Sequence, residues 1–206
     1  MRNPWLDIPL QDYEGHMSSP GVAQLQALAD LFEEALAYCR PRSVAILGIA
    51  GGNGLERIDP GVTNQIVGID IHPAYLQVVR ERYPQLPLTL RCVDLEHQTV
   101  NEEAVELVHA ALIFEHAGAE QCLRNAASLV APDGHLAVVL QRPSRAQADV
   151  SPTQFQTMRS LGAHFRLVDQ SKLHERVESI GFTFVHQTRR ELPSGKAFWL
   201  GIYRKT

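Results

Sequence analysis

Residues 44–54, VAILGIAGGNG, run four apolar residues straight into a chain of small ones. Val44, Ala45, Ile46 and Leu47 suit a strand buried on both faces. Gly48, Ile49, Ala50, Gly51, Gly52, Asn53 and Gly54 follow at once. Such residues let a backbone turn tightly and approach a ligand closely. The next apolar run ends in Ile69-Asp70. A carboxylate there can accept two hydrogen bonds from a ribose diol, and its distance from Gly48 fits the roughly 20 residues such a unit needs. Asp94, in LRCVDLE, ends a third run. It can receive a hydrogen bond from an adenine amino group. These positions lie at carboxyl ends of strands, where open α/β sheets bind ligands.

Strand and helix signals alternate outward from this stretch. Strands are expected near 44–49, 65–70, 88–93, 105–113 and 134–141, and helices near 53–58, 73–83, 118–130 and 170–180. That alternation implies right-handed crossovers and a mostly parallel, doubly wound sheet covered on both faces. Phe182 to Arg189 and Ala197 to Arg204 break the pattern. The link Leu192-Pro193-Ser194-Gly195 is too short for a crossover helix, so the pair reads as an antiparallel hairpin. Upstream, Val22, Leu25, Ala29, Phe32, Leu36 and Cys39 form one apolar stripe of a helix that Ser19 can cap and Pro41 ends. The stripe reads as core packing. Pro4, Pro9 and Gly15 make residues 1–18 look irregular. Residues 142–169 read as loop around Pro143, Asp149 and Pro152, with a short helix from Thr153 to Leu161.

The 206 residues suffice for a single domain spanning 1–206, divided into a segment 1–40 and a core 41–206. The formal charge is −4 and the pI about 6.1, with no basic run, so nucleic acid is not an expected partner. No apolar run reaches the length of a membrane span, and the N-terminus carries no secretory pattern. Cys39, Cys92 and Cys122 are far apart, which suggests reduced, buried thiols and a cytoplasmic location. No Cys or His spacing points to a metal site.

Two phosphate-binding devices are missing. Reading GxGxxG from Gly52 puts Arg57 where the third glycine belongs, and no lysine follows the loop as in a phosphate-cradling P-loop. A nucleoside without phosphates fits better. The chain here resembles the class I S-adenosylmethionine-dependent methyltransferases, over roughly residues 40–206. Residues 48–54 occupy the place of their first motif, Asp70 that of the ribose-binding acid, and Asp94 that of the acid near adenine. Val105 to Val108 followed by Ala111 to His116 resembles the fourth strand and active-site edge, and Leu129 to Leu136 the turn before strand five. The resemblance implies a Rossmann-like, seven-stranded sheet of order 3-2-1-4-5-7-6, with S-adenosyl-L-methionine held by Gly48, Ala50, Gly51, Gly52, Asn53, Gly54, Asp70, Ile71, Asp94 and Leu95. Two departures stand out. Gly48 replaces an acid that helps hold the methionine ammonium, leaving Glu56 or backbone carbonyls to serve. Ala50 replaces a glycine and is suited if its φ is negative.

Methyl transfer needs in-line approach, so orientation supplies much of the catalysis, and a base is needed only where the nucleophile loses a proton. Glu115 and His116 follow the fourth strand, where His116 can deprotonate or position the acceptor with a pKa suited to neutral pH. Tyr13, His16 and Met17 can form a lid that lines the acceptor pocket. Arg142, Arg145 and His164 can bind an anionic acceptor. The expected acceptor is a small molecule. The rival readings are a regulatory protein of the same fold without catalysis, and a nicotinamide-dependent oxidoreductase. The sequence does not reveal the oligomeric state.

Overall fold

The structure, a computed structural model, describes residues 3–144 and 151–206. Seven strands form one sheet: β1 (Ser43–Leu47), β2 (Gln65–Asp70), β3 (Leu88–Cys92), β4 (Val105–Ala111), β5 (Val130–Gln141), β6 (Phe182–Glu191) and β7 (Ala197–Lys205). Their order is β3-β2-β1-β4-β5-β7-β6, as the family resemblance implies. β1 to β5 are parallel, and β7 runs antiparallel to both β5 and β6. In the Leu129 to Leu136 stretch, Leu129 ends a helix and the rest lies within β5. Its partner register shifts between Val105 and Leu107, and Asp133 takes φ +62°.

Helices cover both faces. On one face, α2 (Gln24–Cys39) and α3 (Pro73–Arg82) bury Leu31, Phe32, Leu76 and Val79 against β-strand residues such as Val44 and Ile66. On the other, α5 (Ala119–Leu129) and α6 (Gln170–Ser179) bury Leu123, Ala126, Leu173 and Val177 against Ala45, Leu47 and Val108. Of the stripe, Ala29 and Phe32 on α2 and Val22 just before it are each 3% exposed or less, while Leu25, Leu36 and Cys39 are half-buried at the edge of the same core.

Several local expectations are corrected. Residues 4–18 are not irregular: Pro4–Asp7 is a 3-10 turn and Leu10–Ser18 is a helix, α1. The prolines start these elements. Pro4 sits in a first turn capped by Asn3, and Pro9 is the N-cap of α1, sites where a missing N–H costs nothing. Gly15 is tolerated mid-helix because a Cβ there would lie 2.6 Å from Phe155 Cζ. Ser19 does not cap α2. Its hydroxyl donates to the His16 carbonyl at the end of α1, and α2 begins only after Ala23. The helix expected at 53–58 shrinks to a 3-10 turn, Leu55–Arg57, and the one at 153–161 to a 3-10 segment, Thr157–Ala163. Cys92, expected buried, is exposed at the end of β3. A short α4 (Ile113–Ala117), unforeseen, follows β4. No helix among the described residues is long and apolar enough to cross a membrane.

Candidate active site

The carboxyl ends of the central strands open into one cavity. Gly48 and Ala50 line it after β1, Asp70 and Ile71 at the end of β2, and Asp94 and Leu95 after β3. Leu112 and Gln141 line it at the ends of β4 and β5. The N-terminal segment closes the opposite wall with Trp5, Tyr13, His16 and Met17. Met158, Leu161 and Phe165, from the segment before α6, complete that wall. Ile8, Met158 and Leu161 form a small apolar cluster with Trp5 and Tyr13 packed on it. Tyr75 fastens this cap by donating its hydroxyl to the Ile8 carbonyl at 2.9 Å.

Asp70 is the best-held group in the site. One carboxylate oxygen accepts the Ala50 N–H at 2.8 Å and the other the His72 N–H at 2.9 Å. Burial nonetheless pushes the carboxyl up to about 6, against the pull of those donors. An ionised carboxylate has about four lone-pair sites, so acceptor capacity remains on both oxygens. Ala50 takes φ +47°, not the negative φ expected of it. That conformation costs a non-glycine residue about 1–2 kcal/mol. It is held by the hydrogen bond that delivers the Ala50 N–H to Asp70. Asp94 accepts the Glu96 N–H at 3.0 Å and faces His97 Nδ1 at 3.0 Å.

The rest of the Gly-rich loop faces elsewhere. Gly51, Gly52, Asn53 and Gly54 do not line the cavity. A Cβ on Gly51 would lie 2.2 Å from Glu14 Oε1, because α1 crosses the loop there. The Glu14 carboxylate is gripped by both terminal nitrogens of Arg82, and Arg82 also donates to the Gly51 carbonyl at 3.1 Å. Asn53 donates to the Leu25 carbonyl, and Gly54 packs on Phe32. Smallness in this half of the motif serves helix packing. Glu56 does not replace the acid missing at Gly48. It turns back to accept the Gly54 N–H and lies beside Arg57, outside the cavity.

The candidates for acid–base chemistry divide. His116 lines the cavity, edge-on to Trp5 and Phe165 at centroid distances of 4.9 and 5.2 Å. Burial lowers its pKa to about 4, so it is neutral at pH 7 and a weak base, contrary to the expectation of a group poised near neutrality. Glu115 does not line the cavity. Its side chain runs behind the wall and accepts the Gln141 N–H at 2.9 Å, while its carbonyl accepts the Arg166 N–H at 2.9 Å. It therefore ties α4 to the end of β5 and to the capping segment. Tyr13 lines the cavity, and burial and the nearby Asp70 raise its pKa, so the phenol keeps its proton. His16 is 5% exposed and lines the cavity, with its pKa lowered first by burial and then by the charge of Lys196.

Arg142 and His164 are not in the cavity wall. Arg142 donates to Gln170, and His164 is exposed against Ser160. Arg145 lies outside the described residues. Trp5, Phe165, Gln141 and Lys196 line the cavity without having been singled out. Of these, Lys196 is the least expected, a lysine only 2% exposed. Its place beside the hairpin link resembles that of any turn lysine, so no sequence signal marks it.

Glu115 gives the fold a pH dependence. Burial raises its carboxyl from the ordinary 4.5 to about 7. Between those values the unfolded chain has released a proton that the folded chain retains. Its stabilising contribution is therefore full below pH 4.5 and is lost as pH rises to 7, by about 3 kcal/mol at 1.36 kcal/mol per unit. Glu115→Gln keeps an acceptor for the Gln141 N–H and removes the ionisation. In urea unfolding the variant should gain on the natural protein by about 2–3 kcal/mol more at pH 8 than at pH 4.5. An equal effect at both pH values would refute the buried-carboxyl account.

Comparison with known proteins places this geometry. Residues 46–138 match the family described as "Methyltransferase domain". A search of curated proteins by sequence found no match. Among solved structures, the N-methyltransferase NodS from Bradyrhizobium japonicum WM9, in complex with S-adenosyl-L-homocysteine, superposes with TM-score 0.72 at 15% identity. The match covers 99% of each chain. An S-adenosylmethionine-dependent methyltransferase from Mesorhizobium loti gives TM-score 0.62 at 16% identity, over 80% of this chain and 91% of that one. The cyclase SpnF gives 0.64 at 14%, over 87% and 80%. At these identities the superpositions establish the fold, and a cyclase among them shows that the fold alone does not fix the reaction.

Proposed function

We propose that this chain transfers the methyl group of S-adenosyl-L-methionine to a small-molecule acceptor, a reading supported by the match of residues 46–138 to a methyltransferase domain and by the order of the sheet. The observation that carries the reading is Asp70: a buried carboxylate at the end of β2, oriented by two backbone N–H groups and lining the cavity. Its remaining lone pairs suit the two hydroxyls of a ribose. Ile71, Asp94 and Leu95 supply the next stretch of wall, with Asp94 as acceptor for an adenine amino group. Gly48 and Ala50 bring backbone to the wall between the acids and the end of β4. With Glu56 turned away, backbone carbonyls remain to receive the methionine ammonium. The 1–18 segment acts as the lid, and the whole chain functions as one catalytic domain.

S-adenosylmethionine, when bound, supplies a methyl group on a positively charged sulfur. The protein's part is to hold the acceptor in line and keep water out. Trp5, Tyr13 and Phe165 give the wall its apolar character. Tyr13, which keeps its proton, donates a hydrogen bond, and neutral His116 positions the acceptor. His16, also neutral, can accept a proton from the acceptor. The missing acid at Gly48 favours one alternative, a regulatory protein that binds the cofactor without turning it over. Calorimetric titration with S-adenosyl-L-homocysteine tests the binding on which both depend. Saturable one-to-one binding is expected, and binding of nicotinamide cofactors in its place would overturn the reading.

A further inference from the structure

We propose that Arg82 is the latch of the lid: by gripping Glu14 and the Gly51 carbonyl together, it sets how fast the cofactor enters and leaves. This rests on the cofactor lying at the Asp70–Asp94 end of the cavity, under α1. Arg82 is the last residue of α3. Both of its terminal nitrogens donate to the Glu14 carboxylate of α1, and one of them also donates to the Gly51 carbonyl at 3.1 Å. One guanidinium thus joins three elements: α3, the lid helix and the loop after β1. Gly51 follows Ala50, whose N–H donates to Asp70. The tie therefore ends one residue from a contact that shapes the cofactor site.

The way α1 is attached makes this tie decisive. The helix places Tyr13, His16 and Met17 in the cavity wall, yet only His16 and Met17 of its nine residues are buried. Segments with few buried apolar groups open locally with little free energy. Polar ties to α3 supplement that small apolar hold. Tyr75 donates to the Ile8 carbonyl just before α1, and Arg82 grips Glu14 two turns further along α3. Seven residues apart, Tyr75 and Arg82 lie on one helix face. A third tie, the Thr157 hydroxyl donating to Asp12 at 2.6 Å, stays within the capping wall. Tyr75 is 1% exposed, whereas the Arg82 and Glu14 side chains are 42% and 29% exposed. Water reaches the Arg82 pair, so it is the tie that opens first. An exposed turn through Pro20-Gly21 joins α1 to α2, and a Cβ placed on Gly21 would meet nothing within 4 Å. That turn leaves α1 room to swing while α2 stays packed in the core.

The test is the exchange rate of S-adenosyl-L-homocysteine on the full chain. Loss of the radiolabelled ligand under a chase of unlabelled ligand gives the release rate, and the calorimetric Kd then gives the entry rate. Glu14→Gln and Arg82→Met should each raise both rates about 3- to 10-fold while Kd stays within about 3-fold, because a gate eases both directions alike. Damage to the site would instead weaken binding without speeding entry. The double variant should match Arg82→Met, since both substitutions break one tie. In the natural protein, raising sodium chloride from about 0.1 to about 1 M should speed release about 2-fold or more, because salt screens an exposed ion pair, and Arg82→Met should lose that response. The proposal is overturned if release from Arg82→Met is unchanged, if it rises only as far as Kd weakens, if the two substitutions add, or if salt leaves release from the natural protein unchanged. The salt series on the natural protein needs no variant, so it decides even if Arg82→Met folds poorly. Failure of S-adenosyl-L-homocysteine to bind is seen in the first titration, before any rate is measured, and it sinks the cofactor reading and the latch with it.

Discussion

Asp70→Asn is expected to weaken S-adenosyl-L-homocysteine binding by about 100-fold or more. The side chain does two things at once. It presents lone pairs to the cavity, and it accepts the Ala50 and His72 N–H groups that shape the exits of β1 and β2. Asparagine keeps the volume and one acceptor oxygen. Its NH2 must then point at one of two backbone donors, and the negative charge is gone. Hydrogen bonds to a charged acceptor contribute about 1.5–3 kcal/mol each, so losing two of them to a ribose amounts to about two decades in affinity. Calorimetric titration of the variant measures this, with circular dichroism to show that the sheet remains. An affinity within about 3-fold of the natural protein's would remove Asp70 from the site.

The second large effect is expected at the N-terminus. Trp5 and Tyr13 pack edge to face at 5.7 Å, and Trp5 packs in turn on His116. These rings form the wall opposite the strand ends. Replacing both with alanine opens the cavity to water while leaving every strand intact, since β1 begins only at Ser43. Burying an aromatic side chain is worth about 1.5–3 kcal/mol, so cofactor affinity should fall about 10-fold or more. Removing residues 1–18 should have at least that effect, because His16 and Met17 leave with the rings. Unchanged affinity in both forms would rule out a lid.

The strand ends were readable because burial on both faces leaves a strong mark. VAIL and IVGI carry no polar side chain, and each stops at a residue that a turn or a ligand can use. The terminal hairpin was readable from the length of its link alone. The N-terminus was misread because Pro4, Pro9 and Gly15 look like breakers when position is ignored. Placed at first turns and against Phe155, they are starters and a packing contact. The site was legible where one strand end supplies one side chain, as at Asp70 and Asp94. It was illegible where the wall is assembled from distant segments. Trp5, Phe165 and Lys196 meet only through tertiary packing, and neither periodicity nor spacing records that meeting. The glycine motif also misled in part, since Gly51 and Gly54 owe their size to Glu14 and Phe32. Glu115 shows the same limit, for its neighbour His116 enters the cavity while its own carboxylate turns to the Gln141 N–H.

The central claim is that the Asp70–Asp94 edge holds S-adenosylmethionine. Calorimetric titration of the natural protein with S-adenosyl-L-homocysteine, NAD and NADP in parallel tests it most directly. One-to-one binding of S-adenosyl-L-homocysteine with a Kd of about 1–100 μM, and no heat from either nicotinamide cofactor, is the predicted result. Tight binding of NAD or NADP with none of S-adenosyl-L-homocysteine would contradict it.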